Sequence, residues 1–123
     1  MKVKCFVHSF LTSNKTLTKQ VQSIYVVPQE TKTIGKDQPY FDKYDRMVAI
    51  VFFKLNNRIY NLNTLLVSKG LAIKKYISLD ENSEFYTKNT SYYNELEICE
   101  NTAKENKYGF WTLSDDEFKK VFP

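Results

Sequence analysis

The sequence is poor in the residues that interrupt or cross-link a chain: three glycines, three prolines, two cysteines and one histidine in 123 residues. So little Gly and Pro excludes a fibrous or loop-dominated protein. Two cysteines are too few for a disulfide framework or a zinc cage. Cys5 and Cys99 each fall on the apolar stripe of an expected helix, where the simplest reading is a small buried side chain; a single bridge between them stays open. His8 lies off its apolar stripe with no partner acid, which reads as a surface residue. No segment approaches the ~18 consecutive apolar residues that a membrane-spanning helix needs. The opening residues, MKVKCFVHSFLTSNK, have a basic start but no sustained apolar stretch and no small-residue cleavage site, so they do not read as a signal peptide. Arginine is scarce as well, with only Arg46 and Arg58, and the positive charge is almost all lysine.

What the sequence has in abundance is aromatic and apolar side chain. Nine Tyr, nine Phe and one Trp make up 15% of the chain, and 42% of it is hydrophobic. That is enough to bury a core, and the length fits one domain spanning residues 1–123. The net charge of +4 suits an acidic partner such as nucleic acid, and equally suits plain solubility.

Periodicity organises the chain. Val3, Phe6, Val7, Phe10 and Leu11 share one face of a helix. Residues 17–27 read as a strand stopped by Pro28, followed by a polar hairpin loop. RMVAIVFFKL, residues 46–55, is apolar on both faces and is expected as the central return strand. Asn56-Asn57 reads as a tight turn into a third strand, RIYNL. NTLLVSKG then has the grammar of a short helix, with Asn63 as N-cap and Gly70 past the end. LAIKKYI follows as an extended piece, and residues 78–91 as a mobile polar loop. Tyr92, Leu96, Cys99 and Ala103 mark an amphipathic helix ended by Gly109, with Glu97, Glu100 and Lys104 on its solvated face. Phe110 and Trp111 are expected to fold back to the core. SDDE, residues 114–117, is a capping box for a last helix, with Phe118, Val121 and Phe122 inward. The sum is one α+β domain.

The order of three motifs is more specific than any of these patterns. DKYDRMVAIVFF, then NTLLVSKGLA, then a long helix closing in NTAKENKYGFW, resembles the staphylococcal nuclease (thermonuclease-like) family. The family pattern is a D-K/R-Y-G-R-x-L-A strand, an N-x-x-L-V-x-x-G-L-A helix and an A-K-x-x-x-x-G-[ILF]-W closure. VKCFVHSFL is similar to the family's first helix, with Cys5 where Ala is usual. The resemblance covers about residues 3–112 and implies an OB-type β-barrel flanked by helices. In the family three strands precede that first helix, so the barrel is expected to be incomplete in this chain.

The resemblance implies a calcium-dependent nuclease that hydrolyses phosphodiester bonds in DNA or RNA. Such chemistry needs a cation held by carboxylates, an activated water, and guanidinium donors for the charge that builds on phosphorus. Arg46 falls on the family's second active-site arginine. Lys43 and Tyr44 match positions that contact nucleotide phosphate, and Tyr76 matches a tyrosine near the base; the next family tyrosine is Ser78 here. Each has a plainer reading: Arg46 as a strand-end charge paired with Asp42 or Asp45, Lys43 and Tyr44 as ordinary loop residues, and Tyr76 as core packing. The family's upstream segment R-L-x-x-[IV]-D-x-P-E carries calcium ligands, an arginine and the glutamate usually given the general-base role. No such pattern occurs in these 123 residues, and the first 35 contain one acid, Glu30. Calcium is therefore expected from resemblance only; Asp37, Asp42 and Asp45 match no known ligand spacing, so no metal site is assigned. One departure lies inside the motif: Asp45 stands where the family has glycine, beside the arginine it would either hold or oppose.

Two functions follow. One is a nuclease-family chain inactive alone, its acids lying upstream or on another chain. The other is a non-catalytic OB-type module that binds nucleic acid or protein. Uncovered barrel edges add an expected partner chain or self-association.

Overall fold

The computed structural model describes residues 21–32 and 39–123. The expected first helix, Cys5, His8, Gly35 and Asp37 lie outside the described residues. Three strands form one antiparallel sheet in the order β1 (Ser23–Pro28), β2 (Ala49–Leu55), β3 (Arg58–Asn61). β2 is central, as its two apolar faces require. Val26 of β1 lies opposite Val51, and Tyr60 of β3 lies opposite Phe53, whose ring it stacks on at 5.3 Å. The β2–β3 turn is made by Asn56 and Asn57 at φ 50° and 61°, the positive pair a two-residue hairpin of this hand demands.

β3 runs without a loop into α1 (Leu62–Ser68). The cap is Asn61 rather than Asn63: its side chain accepts from the Thr64 backbone N–H at 3.2 Å. The helix begins so soon after the strand that Asn63 is already inside it and buried. There its Nδ2 donates to Ala49 O at 3.1 Å and to the Tyr92 hydroxyl at 3.0 Å. An expected cap is thus a buried bracket joining α1, β2 and α2 (Thr90–Glu105). Burial pushes the Tyr92 phenol up to about 12, against the smaller downward pull of the Asn63 contact.

Gly70 follows α1 as expected, at φ +68°, and its reason is a close backbone crossing. Its carbonyl accepts from Phe110 N–H at 2.8 Å, and an added Cβ would collide with the Tyr108 carbonyl. Gly109, at φ +52°, meets Gly70 from the other side. It does not end the long helix: α2 closes at Glu105, capped by Asn106, and Gly109 opens a short 3-10 turn, Gly109–Thr112.

The core is Ile50, Phe53, Leu62, Leu66, Val67, Ala72, Tyr92 and Leu96, where β2, α1 and α2 meet. Glu100, expected in solvent, is buried among them at 8% exposure. It sits one turn past Leu96 on the same stripe. The Lys74 backbone N–H donates to its Oε2 at 2.6 Å, and Lys104 pairs with its Oε1 at 3.2 Å. A buried carboxylate with these partners fixes where the chain after α1 lies across α2.

The capping box holds: Ser114 and Glu117 bond reciprocally at the start of α3 (Asp115–Val121). Trp111 packs with Phe118 at 5.0 Å, and Phe110 with Phe122 at 4.9 Å. This is a half-buried aromatic cluster beside the main core, and Val121, expected inward, is exposed at its rim. LAIKKYI forms no regular strand. Cys99 is a half-buried free thiol, held protonated by burial and then by Glu95.

Candidate nucleic-acid interface

The stretch DKYDR does not open β2. β2 starts at Ala49, and Phe41 bridges Met47 to close a small loop ahead of it. Arg46 was expected at the mouth of a rigid strand; its rigidity comes from Asp42 instead. Asp42 Oδ1 accepts the Tyr44 N–H at 2.9 Å and the Arg46 N–H at 3.0 Å, and Oδ2 accepts Arg46 Nε at 2.7 Å. A short acid folding the backbone just ahead of it is the usual chemistry of such turns. Slight burial works to raise the Asp42 pKa, but the Arg46 and Tyr44 donors outweigh it and hold the carboxyl below its ordinary value.

The turn presents Tyr44 outward, 66% exposed. Arg46 Cζ stands 5.1 Å from its ring centroid and Lys43 Nζ stands 5.3 Å from it. One open aromatic face therefore carries a guanidinium and an ammonium beside it, a cation–π arrangement. Lys43 also reaches Glu84 Oε2 at 3.5 Å, and that acid raises the lysine's pKa.

Glu84 belongs to the polar loop at 78–89, which has a defined conformation. Ser78 Oγ accepts from Asp80 N–H, Asp80 from Asn82 N–H and Ser83 Oγ from Phe85 N–H, and Ser78 bridges Tyr86. Ser78, where the motif has tyrosine, thus closes a loop. Lys32 donates to the Glu81 carbonyl, and Asn89 donates to Gln29 Oε1 at 3.0 Å. These straps hold the loop against the chain that leads from β1 to the turn.

Tyr76 lies at the loop's near end, 43% exposed, at φ +61°. It is not core packing: its ring meets Phe85 at 5.1 Å, and Lys75 Nζ lies 5.1 Å from its centroid. Phe85 adjoins Glu84 in sequence, so one loop contacts both Lys43 and Tyr76. Glu84, Phe85 and Lys75 were not singled out from sequence. Glu84 meets Lys43 across 41 positions, a pairing no local pattern encodes. A groove of about 400 Å³ lies between β2, β3 and the start of α2; Asn89 at the loop's far end lines it, and Lys43, Tyr44, Arg46, Tyr76, Glu84 and Phe85 do not.

The family model for staphylococcal nuclease homologues matches residues 6–113. The chain belongs to the staphylococcal nuclease family. No curated protein matches it. Membership in this family implies an OB-like fold, and the α+β architecture with an open three-stranded sheet is consistent with part of such a barrel. The family acts on nucleic acids.

Membership also explains Asp45. It has φ +60°, the left-handed conformation that glycine adopts at no steric cost and that Asp tolerates better than most residues. The substitution keeps the turn and adds a carboxylate. Arg46 is held by Asp42, so of the two pairings open from sequence the structure selects the first. The calcium typical of the family does not fit the donors present among the described residues. Calcium takes 6–8 oxygens. Among the described residues no three Asp, Glu, His or Cys side chains gather, and Asp42 is committed to Arg46 and two backbone amides. Among the described residues, no helix is long and apolar enough to cross a membrane.

Proposed function

We propose that this chain, as a single domain with an incomplete OB-type barrel, binds single-stranded nucleic acid and does not hydrolyse it unaided. The observation that carries the reading is the Tyr44 ring, exposed and flanked by Lys43 and Arg46. A base stacks on an open aromatic face whatever its identity, and two cations beside that face meet the phosphates on either side. Tyr76, with Lys75 beside it, offers a second stacking ring next to the same loop. Arg46 has the position and donors to face a phosphate: Asp42 takes its Nε, and the terminal nitrogens remain for a phosphate fork. Hydrolysis needs more than this. One arginine supplies charge stabilisation but neither an activated water nor a cation held by carboxylates.

Fluorescence anisotropy with labelled DNA and RNA single strands tests binding, and gel analysis of the same mixtures with calcium tests cleavage. Binding should weaken with salt on a shallow slope, near −1.4 for two phosphate contacts on a single strand. Tyr44→Ala should weaken it by roughly 5- to 150-fold, the loss of ~1–3 kcal/mol of stacking. Absence of binding at low salt refutes the interface. Calcium-dependent cleavage that a chelator abolishes and Arg46→Ala weakens refutes the inactivity.

The open sheet edges favour a second reading, in which acid-bearing strands upstream or on another chain complete the barrel and its catalysis. Cleavage that appears only when such a segment is added would support it.

A further inference from the structure

Among the described residues β1 is an edge strand with little of the usual protection, Pro28 at its end being the edge defence it carries. It pairs only with β2 among the described residues, and residues 21–29 carry no charge. Edge strands in soluble proteins are usually blunted by charged side chains, by proline, by shortness or by a covering element. The opposite edge has two of those defences: β3 is four residues long and begins with Arg58. β1 has six residues, and both of its faces are open: Ile24 is 58% exposed, Tyr25 43%, Val26 54% and Val27 42%.

The ladder decides which backbone groups are available. Gln29 N–H donates to Val48 O at 2.8 Å, in line with the pairing of Val27 with Ile50 and Tyr25 with Phe52; the alternation breaks only ahead of the strand, where Gln22 N–H donates to Lys54 O at 2.9 Å. Alternation along an antiparallel ladder then turns the N–H and C=O groups of Tyr25 and Val27 toward β2. Those of Ile24 and Val26 point away from it.

We infer that β1 pairs antiparallel with β1 of a second copy of this chain, joining two three-stranded sheets edge to edge. A two-fold axis normal to a sheet keeps each side chain on its own face, so an antiparallel pair of identical strands must set some residue opposite itself. Centred on Tyr25, the pairing places Ile24 opposite Val26 of the second copy, and the reverse. Both residues have outward backbone groups, so the two symmetric pairs exchange four hydrogen bonds. Pro28, which has no N–H to give, is not called on. Ile24 faces Val26 on one surface, Tyr25 faces Tyr25 on the other with Val27 opposite Ser23 beside it, and β1 has no charged residue to meet a like charge. The side chains covered amount to a few hundred Å² per copy, below the ~800 Å² per partner of a standard interface. The dimer is therefore reversible and concentration-dependent.

Sedimentation velocity of the 123-residue chain from low to high micromolar concentration tests this, alongside amide exchange of β1. The wild type should move from monomer toward dimer, and the Ile24 and Val26 amides should gain protection over the same range. Val26→Lys should hold the protein monomeric, and Ile59→Lys on the opposite edge should leave association unchanged. A wild type that stays monomeric throughout overturns the inference. So does association with no added protection at Ile24 and Val26, or association that Ile59→Lys abolishes and Val26→Lys does not. Circular dichroism checks both variants for folding. Should Val26→Lys unfold, the wild-type exchange pattern decides alone.

Discussion

Replacing Glu100 by Ala tests whether a buried acid locks the chain after α1 onto α2. Glu100 is 8% exposed, and its carboxylate accepts the Lys74 backbone N–H at 2.6 Å and meets Lys104 at 3.2 Å. A hydrogen bond to a charged group is worth ~1.5–3 kcal/mol, and its loss strands a donor that is itself partly buried. The Lys104 pair spans one turn with its lysine half exposed, so it adds at most ~0.5 kcal/mol. Together with the lost packing of the Cγ methylene, Glu100→Ala should cost about 3 kcal/mol. Glu100→Gln keeps the volume and one acceptor oxygen, and should cost about 1 kcal/mol. Urea unfolding followed by circular dichroism reads both. With an m-value near 2 kcal/mol/M, the Ala midpoint should fall by roughly 1.5 M and the Gln midpoint by about 0.5 M. Lys74 leads directly into Lys75 and Tyr76, so the Ala variant should also loosen the Tyr76 ring. An Ala midpoint within about 0.3 M of wild type would refute the lock. Equal losses for Ala and Gln would show that the negative charge, which both variants remove, matters there rather than shape or a remaining acceptor oxygen.

Gly70→Ala should destabilise by at least ~2 kcal/mol, because φ +68° alone costs an L-residue ~1–2 kcal/mol and the new Cβ meets the Tyr108 carbonyl; a thermal midpoint equal to wild type would mean the backbones do not cross closely. Alkaline stability follows from Tyr92. Its folded pKa of about 12 exceeds the ordinary value of 10, so the neutral phenol favours the folded state. That contribution is complete below pH 10 and is lost as pH rises toward 12, an effect of roughly 2–3 kcal/mol at most. Tyr92→Phe should flatten this loss between pH 10 and 12, and an unchanged alkaline profile would argue against burial of the phenol.

The sheet order, the Asn56-Asn57 turn, the capping box and the long helix were legible because each rests on a local signal: alternation, positive φ, a reciprocal cap, a helical period. The errors share a different origin. Asn63 and Glu100 are polar residues on helices and read naturally as a cap and a solvated face. Their partners, Ala49, Tyr92 and the Lys74 amide, lie 14, 29 and 26 positions away. No pattern within a helix records such a partner. Gly109 was misread for a related reason: a glycine past a helix looks like its cap, whereas this one is required by the crossing with Gly70. At the interface, the motif brought Lys43, Tyr44 and Arg46 into view, and the Asp42 turn explains how they are held. Glu84, which meets Lys43 from a separate loop, had no sequence signal.

The charges around Tyr44 decide what kind of binding this interface can support. Asp42, Lys43, Asp45 and Arg46 sum to zero, and Glu84 adds a negative charge beside Lys43. Long-range attraction of a polyanion by this turn is therefore weak, since fields from adjacent opposite charges cancel within a Debye length. What does not cancel is geometry. Asp42 fixes the guanidinium through Nε and the backbone through two amides, which sets Arg46 beside the Tyr44 ring at 5.1 Å before any ligand arrives. On the proposed reading, a base on that ring would bring its own phosphate to donors already oriented, so little side-chain entropy would remain to be lost. Stacking should thus contribute more than steering. The two acids that the motif places around Arg46 then act differently: Asp42 builds the site, and Asp45, tolerated at a glycine position, lowers its charge.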